Sequence, residues 1–155
     1  MQSEERVHYE GVPPEEFFRR TGMGFETFLE RVMESAQRAR DHAYSPYSKF
    51  SVGAALLTRD AHVISGANVE NASFGLTICA ERGAVACAVG LGHRNFTAIA
   101  VSGRAGVTTA PCGACRQVLN EFNRDLVVVY TTPHGLVVTS VRHLLPDAFG
   151  PDELR

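Results

Sequence analysis

Three of the four cysteines in this chain sit in two short runs, Cys79-Ala80-Glu81-Arg82 and Pro111-Cys112-Gly113-Ala114-Cys115-Arg116. Three thiolates can hold a zinc ion and leave its fourth, tetrahedral position open, the coordination of a catalytic rather than a structural site. Cys112 and Cys115 are three residues apart, so at the start of a helix both sulfurs lie on one side. Glu81 stands two residues after Cys79. It is placed to hang beside the open position and carry protons there rather than to act as a fourth ligand. Three thiolates and Zn²⁺ sum to one negative charge, which weakens the Lewis acid. Arg82 and Arg116 are the candidates to offset it, and Arg82 is expected to donate hydrogen bonds to thiolate sulfur.

The elements that must position these residues follow from periodicity. Residues 1–23 are polar, with Pro13-Pro14 and Gly22, and read as a loosely held N-terminal extension with a short helix at 14–20. Phe25, Phe28, Leu29, Val32, Met33, Ala36, Ala39 and Ala43 recur at three- and four-residue intervals, which predicts a helix. Strands are expected over 50–57, 62–69, 97–102, 126–131 and 136–139. Helices are expected over 79–92 and 112–122, the second with Pro111 at its start. Both signature runs therefore open helices, whose free N–H groups and dipole favour thiolates. Alternating strands and helices argue for an α/β fold, a mixed sheet of about five strands covered by helices. One catalytic domain over 24–155 is expected.

The bulk properties bound the function. A chain of 155 residues with 45% hydrophobic and 21% charged residues is expected to be one soluble globular domain. A net charge of −2 gives no basic footprint for nucleic acid. No apolar run reaches the roughly 18 residues of a membrane span. The polar start Met1-Gln2-Ser3-Glu4-Glu5-Arg6 does not read as a secretory signal. Reduced thiols and a cytoplasmic setting are expected.

Two blander readings stand beside the catalytic one: a closed structural zinc site, and plain buried cysteines. A closed site needs a fourth ligand. His93 is the obvious substitute, but it lies roughly 20 Å along the helix from Cys79 at 1.5 Å per residue. Cys87, about 12 Å along by the same rule, reads as a small buried apolar residue. Asn68 and Glu70, two apart at a strand end, point to one face. They suit sugar hydroxyls, or simply finish a strand and start a turn. Phe50, opening an apolar strand, is core on the sequence alone.

Four segments carry a resemblance: Tyr44 to Phe50 with Val52 to Leu56, Asn68 to Arg82, Pro111 to Val118, and Leu145-Pro146 with Ala148 to Pro151. In order and spacing they resemble the small homotetrameric cytidine deaminases, from about residue 25 to the end of the chain. Glutamate two residues after the first ligand, followed by P-C-x-x-C, is the signature of the zinc deaminases. The resemblance implies a three-layer α-β-α fold, one Zn²⁺ per chain, and hydrolytic deamination of cytidine and 2′-deoxycytidine in pyrimidine salvage. By position, Cys79, Cys112 and Cys115 resemble the zinc ligands and Glu81 the proton shuttle. Asn68 and Glu70 resemble the sugar-binding pair, and Phe50 an aromatic wall. Ala80, through its backbone, resembles a reader of the pyrimidine edge. Phe149 resembles the residue that reaches into a neighbouring subunit's site, with Phe74 near the same pocket. The implied partners are a small nucleoside and three further copies of the chain. The alternatives are a same-fold deaminase of another amino-pyrimidine, and a non-catalytic zinc-stabilised binding module.

Overall fold

The computed structural model describes residues 6–155. A six-stranded mixed sheet, in the order β1-β6-β5-β4-β2-β3, runs through the middle. The strands are β1 (Val7–Tyr9), β2 (Gly53–Thr58), β3 (Val63–Ala67), β4 (Phe96–Ser102), β5 (Val127–Thr132) and β6 (Gly135–Ser140). The pairs β1/β6 and β4/β5 are parallel, and β6/β5, β4/β2 and β2/β3 are antiparallel. The central strands are buried on both faces, so they read as near-continuous apolar runs rather than as alternation.

Side chains still sort by face. Ala54, Leu56, Ile99, Val101, Val128 and Val137 meet the helices α4 (Ala80–Gly90), α5 (Gly113–Phe122) and α6 (Val141–Leu144). Ala55, Leu57, Ala98, Ala100, Val127 and Val138 meet α1 (Pro14–Thr21) and a long helix on the other face. That long helix joins α2 (Phe25–Phe28) to α3 (Glu34–Arg40) through a π-helical turn at Leu29–Met33. The result is the expected three-layer α-β-α arrangement, with one strand more than the five expected.

The extra strand corrects the reading of the N-terminal segment. Residues 1–5 lie outside the described part, but from Arg6 onward the segment is not loosely held. β1 adds to the sheet beside β6, with Val7 opposite Leu136 and Tyr9 opposite Val138. Val12 is fully buried and Phe17 is 2% exposed. Phe17 packs edge-on against both Phe25 and Phe28, at ring-centroid distances of 5.1 and 5.3 Å. A three-residue strand and a few apolar anchors give almost no periodic signal, yet each anchor lands on a preformed sheet edge or helix face. The short helix foreseen at 14–20 is α1, with Gly22 in the left-handed conformation (φ 73°) behind it.

The first long strand begins three residues later than expected. Phe50 to Val52 is extended, but beyond one backbone bond, Asn68 N–H to Val52 O at 3.1 Å, its backbone pairs with a side chain. Val52 N–H donates to Asn68 Oδ1 at 2.8 Å, and Asn68 Nδ2 donates to Phe50 O at 2.8 Å. Periodicity cannot distinguish an amide that mimics a neighbouring strand from the strand itself.

Candidate active site

Two helix starts converge on one point. Cys79 is the N-cap of α4 and Cys112 the N-cap of α5, both in extended backbone conformation, and Cys115 lies in the first turn of α5. The helices begin one residue after each cysteine, so each cap cysteine stands at the positive end of a helix dipole. Cys115 is buried, Cys79 half-buried and Cys112 exposed, which makes one edge of the triad reachable, whereas Cys87, expected to be buried, is exposed on α4. α4 is held flush on the sheet because β3 carries Gly66 beneath it. A side chain there would run into the backbone of Ala80 and Ala84.

The donor set fits a metal ion. The three sulfurs lie within 4.8 Å of one another, and Cys79 Sγ to Cys112 Sγ is 3.8 Å. Zinc–sulfur bonds of about 2.3 Å in a tetrahedron require sulfur–sulfur edges of about 3.8 Å. These are free cysteines, and close-set thiols separated by that edge suit coordination. His93 is not part of the group, so no fourth protein ligand from that helix closes it.

The electrostatics divide the thiols. Hydrogen bonding from the Cys115 thiol, then from Arg82 and Cys112, holds the Cys79 thiol down at about 5. The same bond to Cys79, reinforced by burial, pushes Cys115 far up. Arg82 Nη2 donates to Cys79 Sγ at 3.7 Å and to Thr77 O at 3.1 Å, and the contact with Cys79 raises the guanidinium in turn. Arg116 is used elsewhere. It donates to Pro111 O at 2.7 Å and Leu144 O at 2.9 Å, tying α5 to the C-terminal segment.

Glu81 is 4% exposed, and burial pushes its carboxyl above the usual range. It borders a cleft of about 290 Å³ together with Cys79, Cys112, Ala80, Phe50, Asn68 and Glu70. That volume is at the small end of the roughly 300–1,000 Å³ typical of small-molecule sites. It suits one compact ligand rather than a polymer. A larger hollow of about 510 Å³ opens between Arg6, Arg40 and Arg104, but it contains no cysteine and no carboxylate.

Several expected residues are placed in ways the sequence did not reveal. Asn68 faces the cleft with its amide already engaged by Phe50 and Val52, leaving one N–H and one acceptor lone pair. Glu70 accepts from the backbone N–H groups of Tyr47 at 3.1 Å and Ser48 at 3.2 Å. Phe50 lines the cleft rather than the core, and the Arg104 guanidinium lies 5.7 Å from its ring centroid. Phe74 and Phe149 do not line the cleft of this chain. They are 74% and 61% exposed. Phe74 stacks edge-on with Tyr47 at 5.8 Å, and the Phe149 carbonyl accepts from Gln117 at 2.9 Å. The cleft also has a wall the sequence reading passed over, Thr108, Thr109 and Ala110 with Thr77. Three of these directly precede Pro111-Cys112, a proximity that could have singled them out.

Comparison with known proteins accounts for this arrangement. The family model of the cytidine and deoxycytidylate deaminase zinc-binding region matches residues 26–131. A cytidine deaminase of Sporosarcina psychrophila is 44% identical over 128 residues, spanning 81% of this chain and 94% of its own. A cytidine deaminase of Halalkalibacterium halodurans is 45% identical over 127 residues, spanning 81% and 96%. The crystal structure of cytidine deaminase from Burkholderia pseudomallei superposes with a TM-score of 0.75 at 50% identity, covering 82% of this chain and all of its own. That from Mycobacterium tuberculosis gives 0.70 at 40% identity, covering 79% and 97%. The matched span contains the thiolate triad, the buried glutamate and the two helices that carry them, and the chain belongs to the cytidine and deoxycytidylate deaminase family of zinc hydrolases.

Proposed function

We propose that this chain converts cytidine and 2′-deoxycytidine to uridine and 2′-deoxyuridine, consuming one water and releasing one ammonia. The observation that carries the reading is the buried Glu81 carboxylate beside a three-thiolate triad in a cleft of nucleoside size. Cys79, Cys112 and Cys115 hold the zinc. Bound there, zinc supplies a Lewis-acidic position at which water loses a proton near neutral pH. Glu81 accepts that proton and delivers it to N3 as oxygen adds to C4. A second proton passes through Glu81 to the exocyclic nitrogen, which leaves as ammonia. Burial suits Glu81 to both halves of this cycle, because a raised carboxyl both takes and returns a proton readily.

The remaining residues bind and orient. Glu70 and the free valences of Asn68 take the sugar hydroxyls, and Phe50 forms the wall against the ring. The Ala80 backbone and Glu81 read the pyrimidine edge. Arg82 draws charge from the Cys79 thiolate. Phe149, with Phe74 beside the site, completes the pocket of a neighbouring subunit in a homotetramer, which explains large aromatic side chains left in solvent on one chain. The setting is cytoplasmic pyrimidine salvage. No helix among the described residues is long and apolar enough to cross a membrane.

The test follows the ultraviolet absorbance of cytidine with the purified, zinc-loaded protein, beside cytosine, CMP and adenosine. Loss of the cytidine signal with stoichiometric ammonia, and no change with CMP, supports the reading. Glu81→Gln should retain one zinc per chain and lose turnover by about 10²–10⁴-fold or more. Full activity in that variant would overturn the mechanism, and inertness of the native protein toward cytidine would overturn the substrate.

A further inference from the structure

Far from the cleft, the turn between β2 and β3 and the loop after α4 bring together Asp60, His62 and His93. Their ligand atoms lie within 4.8 Å of one another. Each oxygen of the Asp60 carboxylate faces one imidazole: Oδ2 is 3.1 Å from His62 Nδ1, and Oδ1 is 3.8 Å from His93 Nδ1. The two rings lie 4.7 Å apart, tilted by 41°. We propose that these three side chains form a second metal site, outside the catalytic centre, for a borderline divalent transition ion such as Ni²⁺, Co²⁺, Cu²⁺ or Zn²⁺.

The donors stand on a fixed backbone. Thr58 Oγ1 donates to Asp60 Oδ1 at 2.6 Å, and His62 N–H donates to the same Thr58 hydroxyl at 2.9 Å. Ala61 N–H closes the turn on Thr58 O at 3.0 Å, with Ala61 itself at φ 66°. Arg31 Nη2 donates to Ala61 O at 3.0 Å and braces the turn from outside. The histidine loop is tied to this turn by Arg59 N–H donating to Asn95 O at 2.8 Å, and His93 N–H caps α4 on Ala88 O at 2.9 Å. Only the side-chain torsions are left to adjust. Bonds of about 2.0–2.2 Å need donors roughly 3–3.5 Å apart. Exposed His62 and Asp60 reach that by small rotations, while the half-buried His93 stays as the anchor. A tautomer shift moves the proton from the coordinating imidazole nitrogen to its partner.

The surroundings select the ion. Arg59 and Arg94 line a hollow of about 290 Å³ together with Asp60 and His93, and Asp60 is its one acid. One carboxylate among arginines gives too little negative charge for Mg²⁺ or Ca²⁺, which depend on several oxygen ligands. Two imidazoles and a carboxylate instead form the nitrogen-rich set that borderline transition ions prefer. Binding would clip the β2–β3 turn to the C-terminal end of α4, the helix whose other end holds Cys79 and Glu81.

The experiment uses the untagged full chain with zinc already in the thiolate site. Calorimetric titration with Ni²⁺ should show one further equivalent per chain at micromolar affinity, with a rise in Tm of a few degrees. Ca²⁺ and Mg²⁺ should give neither. His62→Gln/His93→Gln should lose that equivalent and the Tm response, and keep the thiolate zinc and basal turnover. The Cu²⁺ complex of the native chain should show hyperfine coupling to two nitrogens. Absence of a second equivalent in the native chain would overturn the proposal. So would an unchanged second equivalent in the double variant, which would place it on other histidines.

Discussion

At the scale of single residues, the site depends on side chains that serve two structures at once. Arg82 is half in the fold, through Thr77 O, and half at the thiolate of Cys79. Arg82→Gln keeps a donor for the carbonyl and loses the charge, so the excess negative charge of three thiolates goes unopposed. Zinc retention against a chelator should fall about 10–100-fold, read as metal per chain after dialysis, with turnover falling beside it. Unchanged retention and turnover would place Arg82 in the fold alone. Asn68 makes the opposite point. Its identity and spacing suggested sugar recognition, but its amide substitutes for a strand neighbour beneath Phe50. Asn68→Ala leaves Val52 N–H and Phe50 O without those partners, so urea denaturation should show a loss of about 1–3 kcal/mol, with KM for cytidine raised. A rise in KM with unchanged stability would show that the sugar contact is its whole role.

At the scale of elements, chemistry depends on where two helices start. The cysteine pattern made both starts legible, because Pro111 and the thiolates belong at helix N-termini and the apolar spacing behind them is helical. How closely α4 lies on the sheet was not legible, since it is set by the missing side chain of Gly66, and a glycine in a strand carries several meanings. Gly66→Ala inserts a methyl group against the Ala80 and Ala84 backbone and must lift α4. Overpacking of this kind costs about 1–3 kcal/mol, and more where the obstacle is backbone. The lifted helix carries Cys79 and Glu81 away from α5, so zinc retention and kcat should fall together with stability. A variant destabilised to that degree with native kcat would show that α4 can settle back without moving its N-terminus. The cleft wall of Thr108 to Ala110 escaped the sequence for a related reason. Irregular backbone has no period, and only its nearness to Pro111 carried information.

At the scale of the whole molecule, the two faces of one sheet do different work. α4, α5 and their caps hold the thiolate triad and Glu81 on one face, while α1 and the long helix close the core on the other. The central strands could be read from their apolar runs. The sixth strand could not, because Val7 to Tyr9 is too short to show alternation and depends on the β6 edge and the core already in place. The N-terminal segment therefore closes the core from outside the span that the family model matches. Phe17 is its main anchor, seated edge-on between Phe25 and Phe28. Phe17→Ala removes a buried ring and leaves a cavity on the face remote from the cysteines, at a cost of about 3–5 kcal/mol. Chemical denaturation should read that loss directly. Because the sheet separates this cavity from the triad, the folded fraction should retain one zinc per chain and near-native kcat. Native stability in the variant would return residues 6–23 to the status of a loose extension. Loss of zinc at unchanged stability would mean instead that the segment reaches the site through the sheet.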